Sequence, residues 1–250
     1  MKISIITVVY NRKKYIENTI LSVLKQSYKN IEYIIIDGGS NDGTIEIIEK
    51  YKENIFYWVS EEDTSMYHAI NKGMLKSTGD YILNLNSDDW LLDNKVIEKV
   101  VEGIKCNHKY KAFFGNIIRY YESKNYSRKI LLKDVSYKKL LLSEHSTFIP
   151  HSSLLISKDI LQTIGFYNLE YKYASDFEFI LRIIKNYKVK HLSLFITVFR
   201  EHPESITSSG KIDLERKAIL TKYNLYDINF IIRKYSYYKE WILYKLKNLN

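Results

Sequence analysis

The feature that most restricts the fold is an almost unbroken run of β-branched, apolar residues near the start, Ile3-Ser-Ile-Ile-Thr-Val-Val9. A strand open to water on one face alternates apolar and polar residues. A run without that alternation reads as a strand covered on both faces. The same pattern recurs in Ile31-Glu-Tyr-Ile-Ile-Ile36, Phe56-Tyr-Trp-Val59 and the stretch beginning Tyr81-Ile-Leu. Between these runs, apolar residues recur at helical spacing: Ile16, Ile20, Val23 and Leu24, then Ile45, Ile48 and Tyr51, then Met66, Ile70 and Met74. Strands alternating with helices in this way predict a parallel α/β layout. Ligands of such sheets bind outside the carboxyl ends of the strands. Asp37 and the pair Asp88–Asp89 both fall at expected carboxyl ends, so they can face one crevice.

Beyond Trp90 the pattern loosens. Helices are expected over 94–105 and 176–186, and strands over 112–118, 126–132, 152–156 and 191–200. From Lys211 the chain reads as helical. Its last piece, 228–249, carries Ile231, Tyr235, Tyr238, Ile242 and Leu246 on one stripe beside Arg233, Lys234, Lys239, Lys245 and Lys247. A basic, aromatic amphipathic helix suits a membrane interface. The same stripe also suits packing onto this chain or onto a second copy in a homodimer, and the pattern favours neither.

Bulk composition excludes several classes. With 46% hydrophobic residues and only two prolines, the 250-residue chain has ample material for one large domain. The single cysteine, Cys106, excludes an internal disulfide and fits a reducing compartment. No stretch reaches the ~20 apolar residues that span a bilayer, and the apolar run at the N-terminus is short for a signal core. The expectation is a cytoplasmic protein, soluble or peripheral at the inner face of the cell membrane. A formal charge of +9 would suit a polyanion or an anionic membrane. No nucleic-acid signature accompanies it, so no nucleic-acid partner is expected.

Several chemistries lack their residues. The turn after the first strand has no glycine, so the G-x-G-x-x-G of a dinucleotide site is missing, and no Walker lysine occurs. His145, His151 and His202 are scattered without zinc spacing, and no G-x-S-x-G elbow is present. What remains is carboxylates at strand and helix ends. Asp37 opens Asp37-Gly-Gly-Ser-Asn-Asp-Gly-Thr44, where it can cap the turn or accept from a base N–H. Asp63 ends an acid run before a helix start, where the macrodipole favours it. Lys72 on that helix is either solvated or placed to meet a phosphate. Asp88 and Asp89 are either a polar turn or a hard-oxygen site for Mg2+ or Mn2+. Asp176 is either a helix cap or a general base at a cleft rim.

Six segments in order bring these residues together: 3–11, 37–44, His68-Ala-Ile-Asn-Lys-Gly73, Gly79-Asp-Tyr-Ile-Leu-Asn-Leu-Asn-Ser-Asp-Asp89, Gly165-Phe-Tyr167 and Ala174-Ser-Asp176. Jointly they resemble the family 2 glycosyltransferases of the GT-A fold, close to the bacterial members that build surface polysaccharides. The resemblance covers roughly residues 1–200. It implies a Rossmann-like, mostly parallel central sheet flanked by helices over 1–210, with a nucleotide-binding half at 1–90 and an acceptor and catalytic half at 91–210. A helical extension follows at 211–250.

The implied activity is inverting transfer of a hexose or N-acetylhexosamine from a nucleotide-sugar donor, commonly a UDP-sugar, to a glycan or lipid-linked acceptor. A divalent cation, Mn2+ or Mg2+, is the implied cofactor. Residue by residue, Thr7 and Tyr10 would line the nucleotide pocket, Asp37 would bind the base and Asp63 would help hold the nucleotide. Asp88 and Asp89 match the acidic metal motif, with Asp89 expected in direct contact with the ion and Asp88 in support. Asp176 matches the catalytic base. Arg200 and His202 lie in a segment resembling a loop that closes over the donor diphosphate. The departure from the family pattern is Asn86, where many relatives carry Asp. Two other classes remain: a non-catalytic nucleotide-sugar-binding subunit, and a sugar-phosphate nucleotidyltransferase. The latter usually has a Gly-rich, basic N-terminal loop that is missing here.

Overall fold

The computed structural model describes residues 1–142, 149–203 and 211–225. The elements run β1 (Ile3–Val9), α1 (Lys13–Leu24), β2 (Ile31–Asp37), α2 (Thr44–Lys50), β3 (Tyr57–Ser60), α3 (Met66–Lys76), β4 (Tyr81–Asn84), β5 (Trp90–Leu91), α4 (Val96–Cys106), β6 (Ala112–Tyr121) and β7 (Tyr126–Ile130). They continue with α5 (Tyr137–Leu142), β8 (Leu154–Ser157), α6 (Leu161–Ile164), α7 (Ser175–Asn186), β9 (Val189–Glu201) and α8 (Lys211–Leu225). The strands form one sheet in the order β3-β2-β1-β4-β8-β6-β9-β5, with β7 paired to β6. β3, β2, β1 and β4 are all parallel, as the alternation of the first half predicts. The second half is mixed: β8 runs antiparallel to β4 and β6, whereas β9 runs parallel to β6.

The unbroken apolar runs of β1, β2 and β4 are buried on both faces, whereas Phe56 is exposed and β3, at the edge of the sheet, is only half-buried. Ile3, Ile5 and Val9 of β1 point into one layer with Ile16, Ile20 and Val23 of α1 and Val96, Val100 and Ile104 of α4. Ile6 and Val8 point into the other, against Ile70 and Met74 of α3 and Phe179, Ile180 and Ile183 of α7. Because β4 pairs directly with β8, the two halves share one sheet and one pair of core layers. α8 joins the second layer through Ile219, which is fully buried. α8, the first fifteen residues of the expected C-terminal extension, thus lies against the domain along one side, with Leu214 left exposed. The amphipathic stretch from residue 226 onward, expected to meet a membrane or a second copy, lies outside the described residues, as does His145. Among the described residues no helix is long and apolar enough to cross a membrane.

Candidate active site

The carboxyl ends of β1, β2 and β4 make one rim. Asn11, just past β1, adopts φ +50, a conformation that asparagine tolerates better than most side chains. That turn stitches the two loops together. Asn11 N donates to Ser40 Oγ at 2.8 Å, Asn41 N to Asn11 Oδ1 at 2.9 Å, and Arg12 N to Thr44 Oγ1 at 2.9 Å. Asp37 is fully buried behind this rim. Its oxygens accept from Gly39 N (3.0 Å), Ser40 N (2.9 Å), Ser40 Oγ (2.5 Å) and Ser60 Oγ (2.7 Å). The carboxylate expected to meet a base thus holds its own loop to β3. Thr7 is also fully buried, and its hydroxyl accepts from Tyr33, so it backs the rim rather than lining it. Tyr10 is 60% exposed and packs against Gly38, which leaves most of its ring open.

At the end of β3, Asp63 Oδ1 lies 2.9 Å from His68 Nδ1 and 2.7 Å from Lys72 Nζ. Lys72 also meets Glu61 at 2.6 Å, so this cation is already shared between two carboxylates.

β4 ends at Asn84, and the acid pair sits on the following turn, before β5, rather than on the strand tip. The two acids are not equivalent. Asp89 is fully buried, with Oδ1 accepting from Arg200 N and Oδ2 from Asn86 Nδ2, both at 3.0 Å. Burial, reinforced by the charge of Asp88, pushes its carboxyl well above the usual range despite these two bonds. The Asp88 side chain is 20% exposed and meets His202 Nε2 at 2.9 Å. Asp88 is thus the acid open to solvent, and Asp89 is the one held behind it.

The structure also accounts for Asn86. Its amide nitrogen donates to Asp89 while its oxygen takes His151 Nε2 at 2.7 Å. Aspartate has no amide hydrogen to give Asp89, so an acid here would set a second carboxylate against the buried one. Burial lowers the pKa of His151 and keeps it neutral, so its Nε2 carries the proton it gives to Asn86.

Asp176 stands at the start of α7. Its Oδ1 accepts from Tyr67 Oη at 3.1 Å and from Phe177 N at 2.8 Å, and Oδ2 has no hydrogen-bond partner among the described residues. Burial, then the charge of Asp176, pushes the Tyr67 phenol far upward, so it stays protonated as a donor. His151 lies within electrostatic reach of both Asp176 and Asp88.

Arg200 is held in an aromatic cage beside the acid turn. Its guanidinium lies over Tyr15 (4.8 Å to the ring centre), Trp90 (4.7 Å) and Tyr120 (5.6 Å). It donates to Asp88 O at 3.1 Å and Glu122 Oε1 at 3.3 Å. It is thus committed to holding the acid turn, whereas His202, two residues on, faces Asp88.

Among the described residues, no cluster of three or more His, Cys, Asp or Glu is gathered to hold a metal by itself. Asp88 and His202 supply one carboxylate and one imidazole, a donor pair compatible with Mn2+ if a substrate's oxygens and water complete the shell. A separate groove of about 680 Å3 opens at the other end of β4, lined by Thr78, Asp80, Lys158 and Phe166, and it contains none of these residues.

The family model for glycosyl transferase family 2 matches residues 4–165, a span that includes the rim loops, the acid turn and His151. The chain belongs to glycosyl transferase family 2. Among characterised relatives, this glycosyltransferase is 28% identical over 228 residues to UDP-Glc:alpha-D-GlcNAc-diphosphoundecaprenol beta-1,3-glucosyltransferase WfaP of Escherichia coli, covering 88% of this chain and 85% of WfaP. Its fold is that of the GT-A glycosyltransferases. It matches S. aureus TarS residues 1–349 in complex with UDP-GlcNAc with a TM-score of 0.69 at 17% identity, covering 94% of this chain and 73% of that one. The chain spans 37% of a longer TarS chain. It also matches the mannosyltransferase PcManGT of Pyrobaculum calidifontis, in complex with GDP-Man and Mn2+, with a TM-score of 0.69 at 14% identity, covering 90% and 64%.

Sequence reasoning missed Tyr67 and the Tyr15–Trp90–Tyr120 cage, and it weighed His151 only as a zinc ligand. Each gains its meaning from a partner more than 60 positions away, and no local pattern marks it.

Proposed function

We propose that this glycosyltransferase moves a sugar from a nucleoside diphosphate donor, uridine being the favoured nucleoside, to a hydroxyl of a glycan or lipid-linked acceptor in surface polysaccharide synthesis. Transfer inverts the anomeric carbon. The observation that carries this reading is the chain of contacts that links the end of β4, which leads into the Asp88–Asp89 turn, to Asp176: Asn84 Nδ2 donates to Tyr167 Oη at 3.0 Å, the Tyr167 ring stacks on Tyr67, and Tyr67 meets Asp176 Oδ1. The likeness to WfaP and to the UDP-GlcNAc complex of TarS supports the donor and acceptor classes.

In this mechanism Tyr67 holds Asp176 Oδ1, and Oδ2 takes the proton of the acceptor hydroxyl as its oxygen attacks the anomeric carbon. The bond to the diphosphate breaks in the same displacement, and its electron pair leaves on the phosphate oxygen. One displacement inverts the centre, and no enzyme nucleophile is required. Asp88 and His202 would hold a divalent cation, Mn2+ or Mg2+, which when bound offsets the charge of the leaving diphosphate. Asp89 fixes the turn from behind through Arg200 N and Asn86. Tyr10 offers its open ring to the nucleobase, while Asp37 and Thr7 shape the rim from within, and the Asp63–Lys72 pair closes the pocket's side.

Asp176→Asn tests this reading, because it keeps the shape and removes the base. Turnover should fall by about 10²–10⁴-fold with donor binding retained. Wild-type turnover would place the base elsewhere. NMR of the product reads the anomeric configuration, and retention would exclude the single displacement. A thermal-shift panel of nucleoside diphosphates and their sugars, with and without Mn2+, identifies the donor, since a ligand that binds only the folded state raises its stability.

A further inference from the structure

The loop before the residue proposed as base is bonded to a helix that, like that residue, lies outside the segment matched by the family model. α7 begins after Ala174, which has no side chain to cap the helix, and no side-chain cap bond forms at that position. The free backbone N–H groups just before the helix are taken instead by one carboxylate from α8. Glu215 Oε1 accepts from Lys172 N at 2.8 Å, and Oε2 accepts from Tyr173 N and Ala174 N, both at 2.7 Å. The peptide units flanking Tyr173 are also approached from the other side, because Tyr173 O and Asp176 Oδ1 share the single Tyr67 hydroxyl proton, each 3.1 Å from Oη. α8 is itself anchored to the core by Ile219 and by the Tyr223 hydroxyl on Glu178 of α7.

We infer that Glu215 is a positioning residue for sugar transfer. By gathering three backbone N–H groups it fixes the loop 172–174, and through that loop the place of Asp176 relative to the acceptor hydroxyl. This rests on Asp176 being the base. The physical reason is twofold. Three charge-assisted bonds to one carboxylate define a backbone position more tightly than water can, and a shift of about 1 Å in a reacting group can cost on the order of 10²-fold in rate. α8 therefore contributes to catalysis although it supplies no reacting atom.

The test is Glu215→Gln, whose amide offers one accepting oxygen and one donating nitrogen, so at least one of the three N–H groups meets a donor. Expected is a fall in kcat of about tenfold, a change of ~1.4 kcal/mol in barrier, with the donor KM and the thermal shift caused by UDP unchanged. Glu215→Asp, which keeps both oxygens on a shorter arm, should restore part of the rate. Placed in an Asp176→Asn background, Glu215→Gln should cause no further loss of residual turnover, since it acts through the group already removed. Unchanged kcat in Glu215→Gln would overturn the inference. So would a further tenfold loss in the Asp176→Asn background, or a parallel loss of donor binding, because each would mean that Glu215 acts elsewhere. Wild-type turnover of Asp176→Asn alone is a distinct result, which removes the base assignment and this inference with it.

Discussion

Arg200→Met removes the charged fork of Arg200 and keeps most of its stem, so it isolates what the aromatic cage contributes. The side chain is 13% exposed and lies over three rings. Cation–π contacts contribute about 0.5–1 kcal/mol each where solvent reaches them and more where it does not. The carbonyl of Asp88 loses a donor, at a cost of about 1–3 kcal/mol if nothing replaces it. Glu122 keeps Lys14 and the Tyr15 hydroxyl, so loss of that ion pair adds little. Allowing for non-additivity and for the sulfur's own contact with the rings, the net cost is about 3 kcal/mol. Urea unfolding followed by fluorescence should show a midpoint lower by ~1 M. Because Arg200 also ties the Asp88 turn to the end of β9 where His202 sits, the Mn2+ concentration for half-maximal donor binding should rise about tenfold, as for other losses of a ligand's supporting bonds. Arg200→Lys keeps the charge without the planar fork and should recover less than half of both losses. A midpoint within about 0.2 M of wild type would refute the reasoning, because a packed cage cannot be emptied at so small a cost.

Three further outcomes follow from the same geometry. Glu32 is buried and accepts from Ser4 Oγ at 2.9 Å and Thr78 N at 2.7 Å. Burial pulls its carboxyl upward, but the bonds from Thr78 and Ser4 and the nearby Lys2 outweigh it and hold the pKa below the usual value. Its stabilisation is thus present above the unfolded-state pKa and lost as pH falls through the folded one. Glu32→Gln should cost about 2 kcal/mol at neutral pH, and chemical denaturation below the folded-state pKa should bring variant and wild type together; a constant gap would contradict this. Gly73→Ala should lower the melting temperature by about 6 °C, because its Cβ would lie 2.4 Å from Ile6 Cγ2 and force α3 off β1. A rise, as helix propensity alone predicts, would show that the contact yields. Tyr67→Phe should reduce kcat about fivefold through loss of one hydrogen bond to Asp176, at constant donor KM; an unchanged kcat would detach Tyr67 from the base.

Much of the fold was legible because burial on both faces of a strand leaves a mark on consecutive residues. β1, β2 and β4 carry it, and their parallel order follows from the helices between them. β5 carries no such mark. Its two residues become a strand because β9 arrives beside them, and its outermost partner residues are Thr197 and Val198. The mixed order of β8, β6 and β9 was hidden for the same reason, since short strands with ordinary composition can pair in either direction.

The site divides along similar lines. The types and order of the acids, Asp37, Asp63, Asp88, Asp89 and Asp176, are properties of the sequence, as is the family match over 4–165 that contains the first four. Their division of labour is not. Asp88 and Asp89 are neighbours of one residue type, and what separates them is that Arg200 N, from 111 positions away, and Asn86 both turn onto Asp89 and bury it. Likewise Glu215 is an unremarkable helical acid until the loop before α7 folds onto it 41 to 43 positions earlier. Periodicity and residue type are local, and the sequence by itself determined the layered α/β fold and the set of candidate acids. Access, desolvation and hydrogen-bond partnership depend on which distant segments meet, and only the tertiary structure decided which acid of the pair is open to solvent, which is buried behind it and what bonds to Asp176.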